Sequence, residues 1–580
     1  MDIIRTIRAL KGVNLLKMST TIANLLYFRL TWTKRNLDYL PAGLGPKFMT
    51  ARDAAKLIPD GSTLTIGGFA ATARASIFYW ALRDAYERTG HPRNLTVIGA
   101  CPQGGRGMTP GMIEELDAPG LITRYIVGHG ETAKALLQLA DEGKLELHTM
   151  SQGTLAFLIE AQAKGIHKIV THIGLGTFLD PSVGEGSAVS PGARDSFIKL
   201  KDGQLEYHIP PIDRALFLAP YADHEGNIYF KDAALILDYK DAATAARMNG
   251  GKVIVAVSRI IPRDDSQITI PADQVDAIVV NPRNEQVGGI FQTNFMPYFT
   301  ACSSDVDHEA VKLMRLINTF LDITPYRGKV ADIPARLCAD IFVKTTRPGA
   351  IVNIGIGIGE EVARMLYEFG LYKDITFTSE GGAYGGLPAS GVYFGAAISP
   401  RKILSTAEMF HLYEEKLQTC VLGFLQVDSA GNVNVSHRGP KIIDFVGPGG
   451  FTDIVEYART IIFVGNWMDE ARYGFKNGRV SIQKPGTPKF VDKVDKITFN
   501  AQGALKAGKL VLYVTTVGVF KLTGAGLELI QIMPGIDFEK DIRRTSSARF
   551  VIPEHAIPEV APEIVSGKGF SLRFEHPLIR

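Results

Sequence analysis

Apolar residues along the chain fall into short runs that alternate with amphipathic stretches, and Gly or Pro turns separate the two. The run Thr63–Ile66 is an example, because the turn Asp60-Gly61 precedes it and a helical pattern over about residues 76–87 follows it. Such an alternation of short strands and helices predicts α/β structure with largely parallel sheets.

The same succession of elements recurs in the second half of the chain. A helical pattern at 335–344 and the turn Pro348-Gly349 precede the apolar run 350–354. When the two turns are aligned, Gly67 lies opposite Gly355, 288 positions further on. The aligned order of helix, turn, strand and glycine loop indicates a duplicated unit.

Two further pairs of segments repeat in the same order. Residues 94–98 resemble 374–378 as apolar runs that enter a Gly-rich loop, and the turn at 223–228 resembles the turn at 428–433. The offset falls from 288 to 205, so the first half carries additional residues, which we place between about 120 and 215. We therefore predict two related open α/β domains whose Gly-rich loops face a shared cleft.

The length of the chain supports this division, because 580 residues exceed what one hydrophobic core usually supports. The predicted parts are a basic N-terminal extension at 1–48, a first domain at 49–285, a connector at 286–330 with a helical stretch at 309–321, a second domain at 331–565 and a tail at 566–580. The extension holds eight basic and two acidic residues. It is either an over-long start before Met49 or an organelle transit segment, and we leave it out of the fold argument.

Charge and cysteine content exclude several classes of partner. The formal net charge is +3, and removal of the extension changes it to −3, so there is no electrostatic reason to expect nucleic acid or an anionic membrane. No apolar run reaches the ~18 residues that predict a membrane span. The four cysteines lack the paired spacing of zinc sites and read as reduced thiols. We expect no metal and a cytoplasmic location, or the mitochondrial matrix if the extension is a transit segment.

Gly-rich loops follow the first strand of each predicted domain, which is where ligands bind in open α/β sheets. Gly67 and Gly68 in the first loop, and Gly355 and Gly357 in the second, would let backbone N–H groups approach a ligand oxygen. Close packing of the next helix, predicted at 360–369 in the second domain, is the ordinary alternative explanation for such glycines.

One acidic residue stands at a strand tip. Glu380 comes just after the apolar run 374–378 and before Gly381 and Gly382, so other groups can approach its carboxylate closely. A glutamate in a surface turn is the alternative that composition alone favours. Other acids, such as Glu360 at a helix start, are explained by the helix dipole.

Short motifs in both halves resemble those of a known family. Ser379-Glu380-Gly381-Gly382 is similar to the Ser-Glu-Asn-Gly signature of family I CoA-transferases, and the stretch from Asp60-Gly61 to Gly67-Gly68-Phe69 resembles that family's other signature. Residues 351–357 are similar to its Gly-rich loop. The similarity extends from about residue 49 to about 541, and it is strongest to the fused single-chain propionate/acetate CoA-transferases.

This resemblance implies a particular chemistry. The Glu380 carboxylate would attack an acyl-CoA, form an acyl-glutamyl anhydride and then a glutamyl-CoA thioester, and finally pass CoA to an incoming carboxylate. The implied substrates are short acyl-CoA thioesters (acetyl-, propionyl- or butyryl-CoA) and free carboxylates such as acetate. CoA is a substrate, so no cofactor, ATP or metal is implied, and family precedent implies a homo-oligomer.

The resemblance also implies loops that hold CoA and stabilise the tetrahedral oxyanion. Gln103, in the loop after 94–98, is a candidate side-chain donor. His129 is a candidate for the acyl pocket, and a loop hydrogen bond is its ordinary alternative role. The full set of predicted site residues is Glu380 as nucleophile, with the loop residues Gly67, Gly68, Phe69, Gln103, Gly355, Gly357, Gly381 and Gly382.

Two other classes of protein stay open at this point. An acyl-CoA hydrolase or lyase subunit on the same fold would differ mainly in whether water reaches the intermediate. A sugar-phosphate isomerase or regulator shares the sheet architecture but needs a phosphate cradle instead of a reactive glutamate. As a regulator it would also carry a DNA-binding helix pair, which the sequence does not show.

Overall fold

The computed structural model describes residues 15–106, 109–193, 196–302, 304–320 and 328–575. Two large β-sheets form its centre, with helices packed against them. We call residues 63–280, which supply the first sheet, the first unit, and residues 351–551, which supply the second, the second unit. Parts of the predicted extension, connector and tail, namely 1–14, 321–327 and 576–580, lie outside the described residues.

The first sheet is parallel along its whole path. Its strands, with those of a small neighbouring sheet, are β1 (Thr63–Ile66), β2 (Leu95–Gly99), β3 (Ile122–Val127), β4 (Glu146–Thr149), β5 (Lys168–Thr171), β6 (Ile198–Lys201), β7 (Gln204–His208), β8 (Arg214–Ala222), β9 (Ile228–Tyr229), β10 (Lys252–Ile260) and β11 (Ala277–Val280). The order is β11-β10-β8-β1-β2-β3-β4, with β9 antiparallel to β8. Strands β5, β7 and β6 form the small antiparallel sheet. Strands β3 to β7 lie within the stretch where additional residues were predicted.

The second sheet repeats the parallel part of the first. Strands of the connector and the second unit are β12 (Glu285–Val287), β13 (Ile290–Phe291), β14 (Ile351–Ile354), β15 (Thr376–Thr378), β16 (Ala383–Tyr384), β17 (Leu387–Pro388), β18 (Ala397–Ile398), β19 (Lys402–Ile403), β20 (Leu417–Leu422), β21 (Gln426–Asp428), β22 (Val433–Asn434), β23 (Thr460–Val464), β24 (Met468–Asp469), β25 (Arg472–Lys476), β26 (Arg479–Lys484), β27 (Thr487–Pro488), β28 (Phe490–Val491), β29 (Leu510–Val514), β30 (Gly518–Thr523), β31 (Gly526–Ile532) and β32 (Phe550–Val551). The order is β19-β16-β15-β14-β20-β23-β29-β30-β31-β32. Its parallel segment β15-β14-β20-β23-β29 matches β2-β1-β8-β10-β11 of the first sheet.

Helices connect the strands in both units. The α-helices are α1 (Leu15–Thr31), α2 (Ala51–Ala55), α3 (Ser76–Thr89), α4 (Lys134–Asp141), α5 (Gln152–Ala163), α6 (Tyr239–Met248), α7 (His308–Phe320), α8 (Gly328–Thr345), α9 (Ile358–Glu368), α10 (Thr406–Lys416), α11 (Phe451–Tyr457), α12 (Ala501–Lys506) and α13 (Pro562–Ser566). Helix α8 begins seven residues before the predicted start at 335, and the predicted end of the connector helix, Leu321, lies outside the described residues. The predicted α/β architecture with largely parallel sheets is confirmed.

Matching hydrogen bonds show that the two units are related in detail. The Gly67 N–H donates to the carbonyl of Leu216 at 2.9 Å, and the Gly355 N–H donates to the carbonyl of Val421, also at 2.9 Å. In the turn after β8, Asp223 accepts three backbone N–H groups on Oδ1 at 2.9–3.0 Å. The corresponding Asp428 accepts two at 2.9–3.0 Å. The spacing that predicted the duplication therefore reflects equivalent positions in the fold.

The N-terminal segment that the sequence analysis left out of the fold packs against the rest of the protein. Phe28 of α1 lies with its ring 4.8 Å from that of Phe291 in β13. Trp32 lies under the guanidinium of Arg74, 4.7 Å from the ring centre, and Arg74 forms a buried ion pair with Glu285 at 2.6 Å. Some apolar residues of the segment, such as Phe28 and Leu37, are buried and contribute to the core. Among the described residues, no helix is long and apolar enough to span a membrane.

Candidate active site

Glu380 lies in a tight turn at the carboxyl end of β15. The Gly382 N–H donates to the carbonyl of Ser379 at 2.9 Å, and the Ser379 hydroxyl donates to the carbonyl of Gly395 at 2.9 Å. Gly382 has a φ of +110°, and a Cβ there would lie 2.0 Å from the carbonyl oxygen of Leu404. Only glycine fits such a position, so the sequence after Glu380 fixes a sharp turn that presents its side chain at the strand tip.

An amide of the neighbouring strand holds the Glu380 carboxylate. Asn353 of β14 donates from Nδ2 to Glu380 Oε2 at 3.3 Å and to the hydroxyl oxygen of Tyr413 at 3.0 Å. Burial raises the pKa of Glu380, while the hydrogen bond from Asn353 acts in the opposite direction. Within the described ranges, Glu380 forms no ion pair. A partly desolvated carboxylate without a counter-ion is a better nucleophile than a hydrated one, provided that it is ionised.

The first unit packs against the turn that carries Glu380. The ring of Phe69 is fully buried, and a Cβ at Gly381 would lie 3.3 Å from it. A Cβ at Gly395 would lie 2.5 Å from the same ring. The Phe69 N–H donates to the carbonyl of Thr72 at 2.9 Å. Phe69 therefore supports the turn by packing, and its backbone N–H is engaged within its own loop.

Most of the predicted backbone donors are used inside the fold. The N–H groups of Gly67 and Gly355 are bonded within the sheets, as described above, and the Gly357 N–H donates to Glu360 Oε2 at 3.2 Å. The Gly381 N–H donates to Ser379 Oγ at 3.2 Å. These groups stabilise the loops, and their role toward a ligand stays a prediction.

The residues that directly follow Gly67 and Gly355 have backbone N–H groups that are not used in this way. Among the residues that the structure describes, the N–H groups of Gly68 and Ile356 have no hydrogen-bond partner. Gly68 was among the predicted donors, and Ile356 was not. The repeat offset of 288 places these two residues at equivalent positions, so the duplication itself was the signal that could have identified Ile356. A role of these two N–H groups toward an oxyanion is a prediction.

The side-chain amide of Gln103 makes a hydrogen bond within the first unit. Its Nε2 donates to the carbonyl of Ile66 at the end of β1, and its Oε1 is buried without a partner in the described part of the chain. An amide nitrogen carries two N–H groups and this contact uses one of them, so the role of Gln103 as an oxyanion donor stays a prediction.

His129 makes the loop hydrogen bond that was the ordinary alternative for it. Its Nδ1 lies 2.6 Å from the carbonyl oxygen of Val446, and because a carbonyl only accepts, Nδ1 carries the proton. Burial lowers the pKa of His129, which favours the neutral ring. His129 lies beside Gly447 and Gly449, since Cβ atoms there would be 3.2 and 3.9 Å from it.

Three residues near Glu380 were not selected from the sequence. Asn353 was visible as the polar residue in an apolar strand. Gln152 donates from Nε2 to the main-chain carbonyl of Glu380 at 3.2 Å, and it lies within the long region, about 49 to 541, that resembles the family. Gly450 faces Glu380, because a Cβ there would lie 3.5 Å from Glu380 Cγ and 3.3 Å from the ring of Phe410. No sequence signal indicated this last contact.

Comparisons with known proteins show which family this sequence resembles. The sequence profile of the family described as Coenzyme A transferase matches residues 48–281. The chain is 32% identical over 513 residues to a caffeate CoA-transferase of Acetobacterium woodii, covering 86% of this chain and 93% of that protein. It is 31% identical over 508 residues to the acetate CoA-transferase YdiF of Escherichia coli K12, covering 85% of this chain and 90% of that one.

The fold is shared with a solved relative. The crystal structure of the acyl-CoA transferase YdiF from Escherichia coli O157:H7 superposes with a TM-score of 0.79 and 28% sequence identity, covering 91% of this chain and 97% of that one. A second structure of the same protein, a thioester complex with CoA, gives a TM-score of 0.78. The chain therefore belongs to the coenzyme A transferase family. The enzyme class predicted from the sequence, a CoA-transferase, is confirmed.

Proposed function

We propose that this enzyme moves CoA between short-chain acyl-CoA thioesters and free carboxylates, through a covalent thioester on Glu380. The observation that carries the proposal is the position of the Glu380 carboxylate, which is half-buried at a strand tip and hydrogen-bonded to Asn353 Nδ2 at 3.3 Å. YdiF has been crystallised as a thioester complex with CoA, and this supports the same chemistry for a relative of this chain.

The first half-reaction starts with attack by Glu380. A carboxylate oxygen adds to the carbonyl carbon of the acyl thioester, the C–S bond breaks, and an acyl-glutamyl anhydride and CoA thiolate result. The thiolate then attacks the side-chain carbonyl carbon of Glu380, and the acyl group leaves as a free carboxylate. The enzyme now carries CoA as a glutamyl thioester.

The second half-reaction reverses these steps with another acid. The incoming carboxylate attacks the glutamyl thioester, thiolate leaves, and the thiolate then attacks the acyl carbonyl of the mixed anhydride. The new acyl-CoA departs and Glu380 is free again. Because each step exchanges one carboxylate or thiolate for another, charge and atoms balance, and neither ATP, a metal nor a bound cofactor is needed.

Each addition passes through a tetrahedral oxyanion that needs preorganised donors. We assign this role to the N–H groups of Gly68 and Ile356, one from each unit, which have no hydrogen-bond partner in the described part of the chain. Loss of one such donor typically costs ~3 kcal/mol of transition-state stabilisation.

The acid partners proposed here are acetate, propionate and butyrate. One relative is named an acetate CoA-transferase and the other a caffeate CoA-transferase, so relatives of similar identity carry names of very different acids. A panel of acceptors that includes an aromatic acid therefore belongs in the test. The proposed homo-oligomer is tested separately by mass in solution.

The direct experiment is intact-mass spectrometry of the enzyme after brief incubation with propionyl-CoA and no acceptor. We expect an adduct of CoA mass less one water on the wild type, discharge of that adduct by acetate with formation of acetyl-CoA, and no adduct on Glu380→Ala. Steady release of CoA into water without an adduct would instead support a hydrolase. Absence of both adduct and turnover with every acyl-CoA tested would contradict the proposal and favour sugar-phosphate chemistry.

A further inference from the structure

The start of helix α5, in the first unit, is capped by a residue of the second unit. Asp453 of α11 is fully buried, and its Oδ1 accepts hydrogen bonds from the Ser151 hydroxyl at 2.7 Å and from the Thr154 N–H at 3.1 Å. Its Oδ2 accepts from the Gly153 N–H at 3.0 Å. The Ser151 side chain precedes α5 but does not cap it. The N-terminal N–H groups of α5 are thus satisfied from about 300 residues away.

Gln152, which lies between these contacts, is hydrogen-bonded to the turn that carries Glu380. Its two neighbours in the chain, Ser151 and Gly153, both donate hydrogen bonds to Asp453. The backbone N–H of Gln152 donates to the carbonyl of Gly449 at 2.7 Å, and its side chain donates to the carbonyl of Glu380 at 3.2 Å. Gln152 is almost fully buried, so it has no freedom to reorient without disturbing these bonds.

The cost of this arrangement argues that it has a function beyond capping. Within the described residues, Asp453 forms no ion pair with a Lys, Arg or His, and the titratable groups that face it are Tyr207 and Tyr457. Burial raises the pKa of Asp453 to about 7, although its three hydrogen bonds oppose that shift. A buried carboxylate without a counter-charge is expensive, whereas a helix can be capped cheaply by its own serine.

We infer that Asp453 is a positioning residue of the active site, which holds Gln152 in place and through it fixes the main chain of Glu380. The inference rests on the proposed role of Glu380 as the nucleophile. It assigns a distinct task to the contact between the units: the second unit supplies the nucleophile, and its own Asp453 orders the part of the first unit that steadies this nucleophile.

The test compares Asp453→Asn, Gln152→Ala and the double variant. In Asp453→Asn the amide nitrogen would face the Gly153 N–H or the Ser151 and Thr154 donors, so at least one hydrogen bond is lost. The number of active sites is taken as the amount of enzyme that forms the CoA adduct after prolonged incubation with propionyl-CoA. The kcat is then expressed per active site counted in this way. We expect each single variant to lower this kcat by roughly tenfold or more with KM for propionyl-CoA little changed.

The double variant distinguishes a relay from two separate defects. If Asp453 acts through Gln152, the double variant is no slower than the worse single variant. Fold-losses that multiply would overturn the inference, as would wild-type kcat per active site in Asp453→Asn with only the number of sites or the unfolding temperature reduced. The matched control is Asp223→Asn, another buried carboxylate that caps a loop, which should lower thermal stability and leave kcat per site unchanged.

A milder variant covers the case in which Asp453→Asn does not fold. Ser151→Ala removes one of the three hydrogen bonds and should lower kcat per site by about two- to fivefold, an effect that disappears in the Gln152→Ala background. Persistence of the full effect in that background contradicts the relay. The proposed function fails in a different way, because a wild type that forms no CoA adduct would reject Glu380 as nucleophile before any variant is compared.

Discussion

The two units place different residues at one equivalent point of the same sheet. In the first unit, Thr65 of β1 pairs with Ile98 of β2, and Ala100 lies two residues after Ile98. In the second unit, Asn353 of β14 pairs with Thr378 of β15, and Glu380 lies two residues after Thr378. The strand order around this point is the same in both units. The fold therefore provides two strand tips of one kind, and the one that carries Glu380 is the proposed site of the chemistry.

The difference extends to the neighbouring strand. Asn353, whose amide holds the Glu380 carboxylate, has Thr65 as its counterpart 288 positions earlier. The first unit contributes support instead: Phe69 packs under the nucleophile turn and Gln152 bonds its main chain. The second unit thus holds the proposed nucleophile and its orienting amide, and the first unit supplies a packing contact and a hydrogen bond to the same turn.

The largest effect is expected when the nucleophile is moved to the other unit. Glu380→Ala should lower turnover by about 10⁴-fold. Adding Ala100→Glu should not restore it, because the first unit has a threonine where the carboxylate needs an amide donor. Steady-state assays with propionyl-CoA and acetate check this. Recovery of turnover in the combined variant would show that the two strand tips are interchangeable.

Removing the orienting amide should have the next largest effect. The reactive form of Glu380 is ionised, and burial raises its pKa above the ordinary 4.5, so activity is lost as pH falls through that raised pKa. Asn353→Ala removes a hydrogen bond that lowers the pKa, so the acid limb of kcat/KM should move to higher pH. At neutral pH we expect a loss of about ten- to hundredfold. Thr65→Val, the matched change in the first unit, should leave the pH profile unmoved.

The sequence predicted the two related units, because turn glycines and apolar runs recur in the same order in both halves of the chain. Glu380 stood out through its motif, and the spacing of Gly67 and Gly355 located both strand tips. The sequence could not predict that the N–H groups of Gly67 and Gly355 are hydrogen-bonded, because their partners Leu216 and Val421 lie far along the chain. The cap from Asp453 to α5 was hidden for the same reason. Sequence patterns report local periodicity, whereas these contacts depend on how the units meet.

The first glycine of each loop, Gly67 or Gly355, is packed differently in the two units. A Cβ at Gly67 would lie 2.0 Å from the ring of Tyr239, whereas a Cβ at Gly355 would lie 3.2 Å from the flexible end of Leu422. Gly67→Ala should therefore lower the free energy of unfolding by about 1–3 kcal/mol, and Gly355→Ala by less than about 1 kcal/mol. Thermal denaturation of both variants checks the difference. Equal destabilisation would mean that the two loops are packed alike.

The smallest effect concerns support that the first unit receives from the N-terminal segment. Trp32 covers the Arg74 guanidinium, so Trp32→Ala should lower stability by about 1 kcal/mol. Leu30→Ala is the control, because Leu30 is 74% exposed and should change the unfolding temperature little. A result in which both variants behave like the wild type would mean that residues 15–32 do not support the first unit.

We propose that Glu380, and no residue of the first unit, carries CoA during turnover. The most direct measurement is to treat the enzyme with propionyl-CoA, displace CoA from the thioester with hydroxylamine, and locate the resulting hydroxamate by peptide mass spectrometry. We expect a glutamyl hydroxamate at Glu380 alone. A hydroxamate at another acidic residue, or continued turnover without any modified peptide, would contradict this proposal.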